Sequence, residues 1–230
     1  SGMILLQRPS EAIELIQQAK LKGVRVTDVM TRVEVEAMCD LDCWKEVIDR
    51  FEDAIDTLPD ESLLRFGQAC IAQSRPDLLQ LARDEVARRT ESDIAPRIAI
   101  MLRHIHWDML LLRDDTKAVR TELEEAGITP LSNSVIDLCF ASRAYDDEAL
   151  QNRYVDRVAE LAPKSTEPQE LAMGARALLR AHRYEDAIGL LEKLLPADSF
   201  TPLHVDLLHC YTLTGRQAKA LNLLESMPAT

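Results

Sequence analysis

Apolar residues recur at three- and four-residue intervals along most of the chain. Val47, Ile48, Phe51, Ala54 and Ile55 form one such stripe, and Leu190, Leu191, Leu194 and Leu195 another. That spacing puts side chains on one face of an α-helix. Nowhere does Val/Ile/Thr alternation run between turn residues, as a strand would require. The chain therefore reads as all-α.

Punctuation cuts the pattern into about 12–13 helices. Pro9-Ser10 opens a helix over 10–21 that ends at Lys22-Gly23. Asp28 starts a second, running to Cys39, and Asp40-Leu41-Asp42 turns into a third from Cys43 to Thr57, stopped by Pro59. Helices follow over 60–73 and 76–89, the latter with Pro76 in its first turn. The rest fall at 94–112, 115–126, 132–142, 147–162, 167–181, 184–195, 201–213 and 216–227. Short connections make successive helices antiparallel neighbours. Each is too short to be stable alone, so each buries its stripe on another. No linker-like stretch divides the chain, and residues 1–230 read as a single domain, with 162–168 the best candidate hinge.

A shift of 33 residues lays "RALLRAHRYEDAIGLLEKLLP" (176–196) onto "LLHCYTLTGRQAKALNLLESMP" (207–228). His182 then falls on Gly215, Ala187 on Ala220, Ile188 on Leu221 and Leu191 on Leu224. This resembles the tetratricopeptide repeat, a helix–turn–helix unit of about 34 residues. Tyr184, Ala187, Leu191 and Pro196 keep the family's aromatic, small, large and closing-proline places in one unit; Gly215, Ala220, Leu224 and Pro228 keep them in the next. Trp44, Phe51, Ala54 and Pro59 fit a third. The best matches are 27–59, 168–196 and 201–228. The chain departs from the pattern at Ala175 and Leu208, where the first helix would carry glycine, and at Val47, where alanine is expected. "TGRQAKALNLLESMP" is also similar to the pentatricopeptide repeat, whose arrays read RNA.

The resemblance implies a right-handed α-α superhelix of antiparallel helix pairs. Ala187 and Ala220 would sit where the second helix of a unit crosses the first, and Ala54 where it meets the next unit, because close crossing needs small side chains.

Composition narrows the function. Net charge is −12, and residues 31–60 hold ten acids against three bases. That field repels a phosphate backbone, so nucleic acid is not an expected partner. The acidic stretch reads as a solvated face. Five scattered cysteines, with Cys39 and Cys43 too far apart for a metal or redox pair, suit reduced buried thiols and a cytoplasmic setting. The N-terminus carries no export signal, Ser1-Gly2 ahead of Met3 reads as a cloning remnant, and the apolar run at 109–112 is too short to span a bilayer.

Chemistry is sparse. His104 and His106 point to different faces and cannot share a metal; His104 and Asp108 share a face beside Trp107, as a helix-surface hydrogen bond or an acid–base pair. Ser132 and Ser134 lack a base, and no phosphate-binding loop is present. No cofactor or metal is expected, and the chain reads as no enzyme.

The first helices of a tetratricopeptide array line its concave groove, as the resemblance implies. Arg176 and Arg180 lie one turn apart there, and His209 and Thr212 take similar places in the following unit. The arginines either hold a partner's carboxylate or balance Glu170 and Glu185. The Lys and Asn set of the family's chaperone-binding members is absent. The expected function is thus a protein-interaction scaffold receiving a peptide or helix. The alternative is a regulatory or sensor module of a larger protein, such as a transcription factor or glycosyltransferase.

Overall fold

The computed structural model describes residues 8–195 and 201–226. The expected proline at 196, the end of the last repeat match at 227–228 and the expected remnant at 1–2 lie outside them. The described residues form thirteen α-helices and two 3₁₀ helices, with no strand among them. In chain order these are α1 (Pro9–Leu21), α2 (Asp28–Asp40), α3 (Trp44–Phe51), α4 (Asp60–Ala72), α5 (Pro76–Arg88), α6 (Ala95–Leu112), α7 (Thr116–Glu125), α8 (Val135–Ala144), α9 (Glu148–Leu161), α10 (Pro168–Arg180), α11 (Tyr184–Leu194), α12 (Pro202–Leu213) and α13 (Gln217–Ser226). The 3₁₀ helices are Glu52–Thr57 and Ala162–Lys164.

The chain divides into two compact units, Ser1–Met109 and Leu110–Thr230, with the border inside α6. In the first, Val35, Val47, Leu63, Phe66, Leu79 and Leu102 form a core sealed from solvent. In the second, Leu138, Val158, Leu178 and Leu191 are equally inaccessible. Within each unit, most helices pack on their sequence neighbours, and first helices also stack: α2 against α4, and α8 against α10.

Among the described residues, a left-handed turn that leads directly into the next helix recurs five times. Asp42, Ser74, Asp114, His182 and Gly215 adopt left-handed φ values of 56°, 54°, 61°, 58° and 72°. In each case the residue's own N–H donates to the carbonyl three residues back, and the following N–H donates to the carbonyl five back. Arg183 N–H to Leu178 O at 2.9 Å and Arg216 N–H to Tyr211 O at 2.8 Å are examples. These bonds satisfy carbonyls that the helix end leaves open, and the chain re-enters a helix after one further residue.

The fourth residue of each helix that follows is buried: Val47, Leu79, Val119, Ala187 and Ala220. Only two of these five are alanine. A small side chain is therefore not required at this crossing, since the interaxial distance widens to suit the residue. In the second unit a close approach lies elsewhere. A Cβ on Gly174 of α10 would stand 2.8 Å from Ala162 Cβ and 3.2 Å from Leu190 Cδ1. The small residue of this unit's first helix is thus Gly174, one place before Ala175.

Two elements differ from the sequence pattern. The helix expected over 43–57 stops at Phe51, and a 3₁₀ segment follows with Ala54 at φ −132°, ψ 25°. Ala54 is half-buried outside any α-helix, so it makes no helix-crossing contact of the expected kind. Tighter winding turns Ile55 and Leu58 inward together. Arg89 from the end of α5 then donates to Asp56 O at 3.0 Å and Leu58 O at 2.6 Å. The helix expected from residue 132 starts at Val135 instead. Ser134 accepts from Asp137 N–H at 3.2 Å as its cap, while Ser132 Oγ accepts from Thr129 N–H at 3.0 Å to close the preceding turn.

Candidate functional site

The candidate residues sit on α10 and α12. α10 begins at Pro168, whose missing N–H costs nothing in a first turn. It buries Leu171, Gly174, Ala175 and Leu178, which leaves Arg176 and Arg180 exposed on the side away from that stripe. Arg176 has no ion-pair partner among the described residues.

Arg180 is near α8. Burial pushes the Cys139 thiol up to about 12, Arg180 pulls it down, and Glu170 pushes it up. Both charges therefore lie around the α8–α10 contact. Glu185 does not balance the arginines; it pairs with Arg216 at the α12–α13 turn.

His209 and Thr212 are also exposed. The His209 ring meets Tyr184 edge-on at 6.2 Å, and Tyr184 Oη lies 2.8 Å from His182 Nδ1. Thr212 Oγ1 donates to Leu208 O at 2.9 Å within its own helix, so only its acceptor capacity faces outward. The sequence did not announce this His182–Tyr184–His209 row. Its one legible sign was the aromatic place held by Tyr184.

The acidic stretch is more than a solvated face. Glu34 is 1% exposed and accepts from Lys20 Nζ at 2.7 Å and from Arg50 Nη1. Arg89 donates to Asp60 at 2.8 Å and Glu85 at 2.9 Å, and Ser92 also donates to Asp60. Burial raises the Asp60 carboxyl, but the Ser92 and Arg89 hydrogen bonds outweigh it and hold the group below its ordinary value. A cleft of about 420 Å³ opens beside this network, between the start of α2 and residues 56–61. Its Glu61 carboxylate faces Arg32 at 3.8 Å.

His106 Nδ1 faces the Arg83 guanidinium, and the Arg103 guanidinium lies 4.9 Å above the Trp107 ring, which His104 meets at 5.6 Å. All five cysteines are free thiols. Among the described residues, no group of three or more His, Cys, Asp or Glu is placed to hold a metal, and no helix is long and apolar enough to cross a membrane. Comparison with protein-family models, with curated proteins and with solved structures returns no match.

Proposed function

We propose that the chain is a non-enzymatic, tetratricopeptide-like interaction scaffold. In this reading, successive hairpins within a unit wind as turns of a right-handed superhelix, and the first-helix face of α10 and α12 receives a peptide or helix from another protein. The carrying observation is Arg176: a cation exposed on α10 with no ion-pair partner among the described residues, one turn from exposed Arg180. Two guanidinia at that spacing offer a fork of donors to a carboxylate. The stacking of α8 on α10 and the five-fold recurrence of one turn support the repeat reading. Net charge of −12 argues for protein over nucleic acid, and five free thiols suit a reducing, cytoplasmic setting.

The test uses the immobilised chain and a randomised peptide pool, once with free C-terminal carboxylates and once amidated. Selective retention of the free-acid pool is expected, lost in the Arg176→Glu, Arg180→Glu double variant without a change in melting temperature. Equal retention by wild type and variant removes both arginines from the site.

A further inference from the structure

The break after Phe51 has no cause in its own residues. Glu52, Asp53, Ala54, Ile55, Asp56 and Thr57 include neither glycine nor proline. The first residue that opposes helix is Leu58, which precedes Pro59. Wound on as α-helix, Val47, Phe51, Ala54, Ile55 and Leu58 would fall within about 100° of one another at 3.6 residues per turn. A continuous helix therefore keeps the apolar stripe intact. The structure departs from it at two backbone positions, Phe51 at φ −121°, ψ −2° and Ala54 at φ −132°, ψ 25°.

The departure leaves carbonyls to be satisfied one by one. Leu58 N–H donates to Ile55 O at 3.2 Å, and Thr57 Oγ1 donates to Ala54 O at 2.8 Å. Both of those donors are local. Asp56 O and Leu58 O are instead taken by Arg89, at 3.0 Å and 2.6 Å, from 33 and 31 residues away. The same guanidinium donates to Asp60 and Glu85, so one side chain joins the end of α5, residues 56–58 and the start of α4. Local preference favours one conformation here, and a distant side chain holds another. A short 3₁₀ stretch inside a helical pattern is where such a conflict shows.

We propose that residues 52–58 are a two-state strap, latched in its broken form by the Arg89 guanidinium. With the latch withdrawn, α3 continues as one helix through Thr57. The latch works by geometry, because only a guanidinium's fork of N–H groups reaches two carbonyls and two carboxylates at once. Residues 56–61 also line the cleft beside the start of α2, so the state of the strap sets the shape of that cleft. The strap lies in the first unit and does not depend on Arg176 or Arg180 in the second.

Nuclear magnetic resonance distinguishes the two forms. An α-helix brings the Hα of one residue close to the N–H four residues on. A continued α3 thus shows contacts from Phe51 to Ile55, Glu52 to Asp56 and Asp53 to Thr57. Wild type is expected to lack all three, and Arg89→Gln to gain them. Arg89→Lys keeps the charge beside Asp60 and Glu85 but loses the fork. It is expected to gain the same contacts, and to hold the rest of the fold should Arg89→Gln lose it. Glu85→Gln removes a partner of Arg89 outside the strap and leaves the wild-type pattern. Contacts missing from the Arg89 variants overturn the proposal, whether the strap stays broken or loses all order. Contacts already present in wild type, or appearing in Glu85→Gln, overturn it too.

Discussion

Lys20 on α1 and Glu34 on α2 are joined at 2.7 Å across a helix contact, and the carboxylate end of that pair is almost wholly sealed while the ammonium end is 35% exposed. Arg50 completes the arrangement from α3 with a side chain 38% exposed. One buried anion thus ties three helices through two cations that each reach water.

The asymmetry predicts an order of costs. Lys20→Met with Arg50→Met strands a carboxylate in the interior and lowers stability by about 3–5 kcal/mol. Glu34→Leu leaves two cations that rehydrate, and costs about 1 kcal/mol or less once the lost attraction is set against the removed desolvation. Chemical denaturation of the variants checks the ranking; a larger loss for Glu34→Leu would refute it.

Gly174 and Gly189 give opposite signs for one substitution. Gly174→Ala forces its new methyl to 2.8 Å from Ala162 Cβ, and overpacking of this kind costs about 1–3 kcal/mol. Gly189 on α11 meets nothing within 4 Å, so Gly189→Ala stabilises by about 0.5–1 kcal/mol. Ala187→Leu, at a position with no exposed surface, belongs with the first and also loses about 1–3 kcal/mol. Thermal melts separate these outcomes.

The recurring turn gives a third contrast. Asp42 holds φ at 56° with a side chain, a strain of about 1–2 kcal/mol that Asp42→Gly relieves in part. Gly215 holds φ at 72° without one, and Gly215→Val imposes a strain of at least that size. A rise in midpoint for the first and a fall for the second are expected; no difference would mean that the left-handed turns contribute no strain.

Asp60 predicts a pH dependence. Its carboxyl is held below the ordinary 3.8 in the folded chain, so its contribution to stability is full above that value and fades as pH falls through the lower folded value. Between pH 5 and the acid limit, wild type loses stability more steeply than Asp60→Asn. Parallel acid titrations of the two would eliminate the Arg89–Asp60–Ser92 network as the cause.

Most helix positions were legible, because apolar periodicity and the Pro and Gly breaks act within a few residues of each other. The break after Phe51 was not. Glu52, Asp53 and Ala54 are compatible with continued helix, and the carbonyls exposed by 3₁₀ winding are satisfied by Arg89, 33 residues from Asp56. Glu34 was equally opaque: in an acidic run it reads as solvated, and its partners lie 14 and 16 residues away. The repeated turn was hidden because left-handed backbone is carried by Asp, Ser, His and Gly alike. At the candidate site, the exposure of Arg176 and Arg180 followed from their place off the leucine stripe. The packing of His209 on Tyr184 is long-range and left no periodic trace.

The cysteines also give the chain a native reporter. Cys39, Cys70, Cys139 and Cys210 are buried, and burial raises their thiols to about 11 or 12, so they stay protonated and shielded at neutral pH. Cys43 alone is half-accessible. A maleimide dye should tag the folded molecule once, beside the α2–α3 turn. Each further label then marks an opening event, and peptide mapping tells whether Cys39 and Cys70 or Cys139 and Cys210 came loose first.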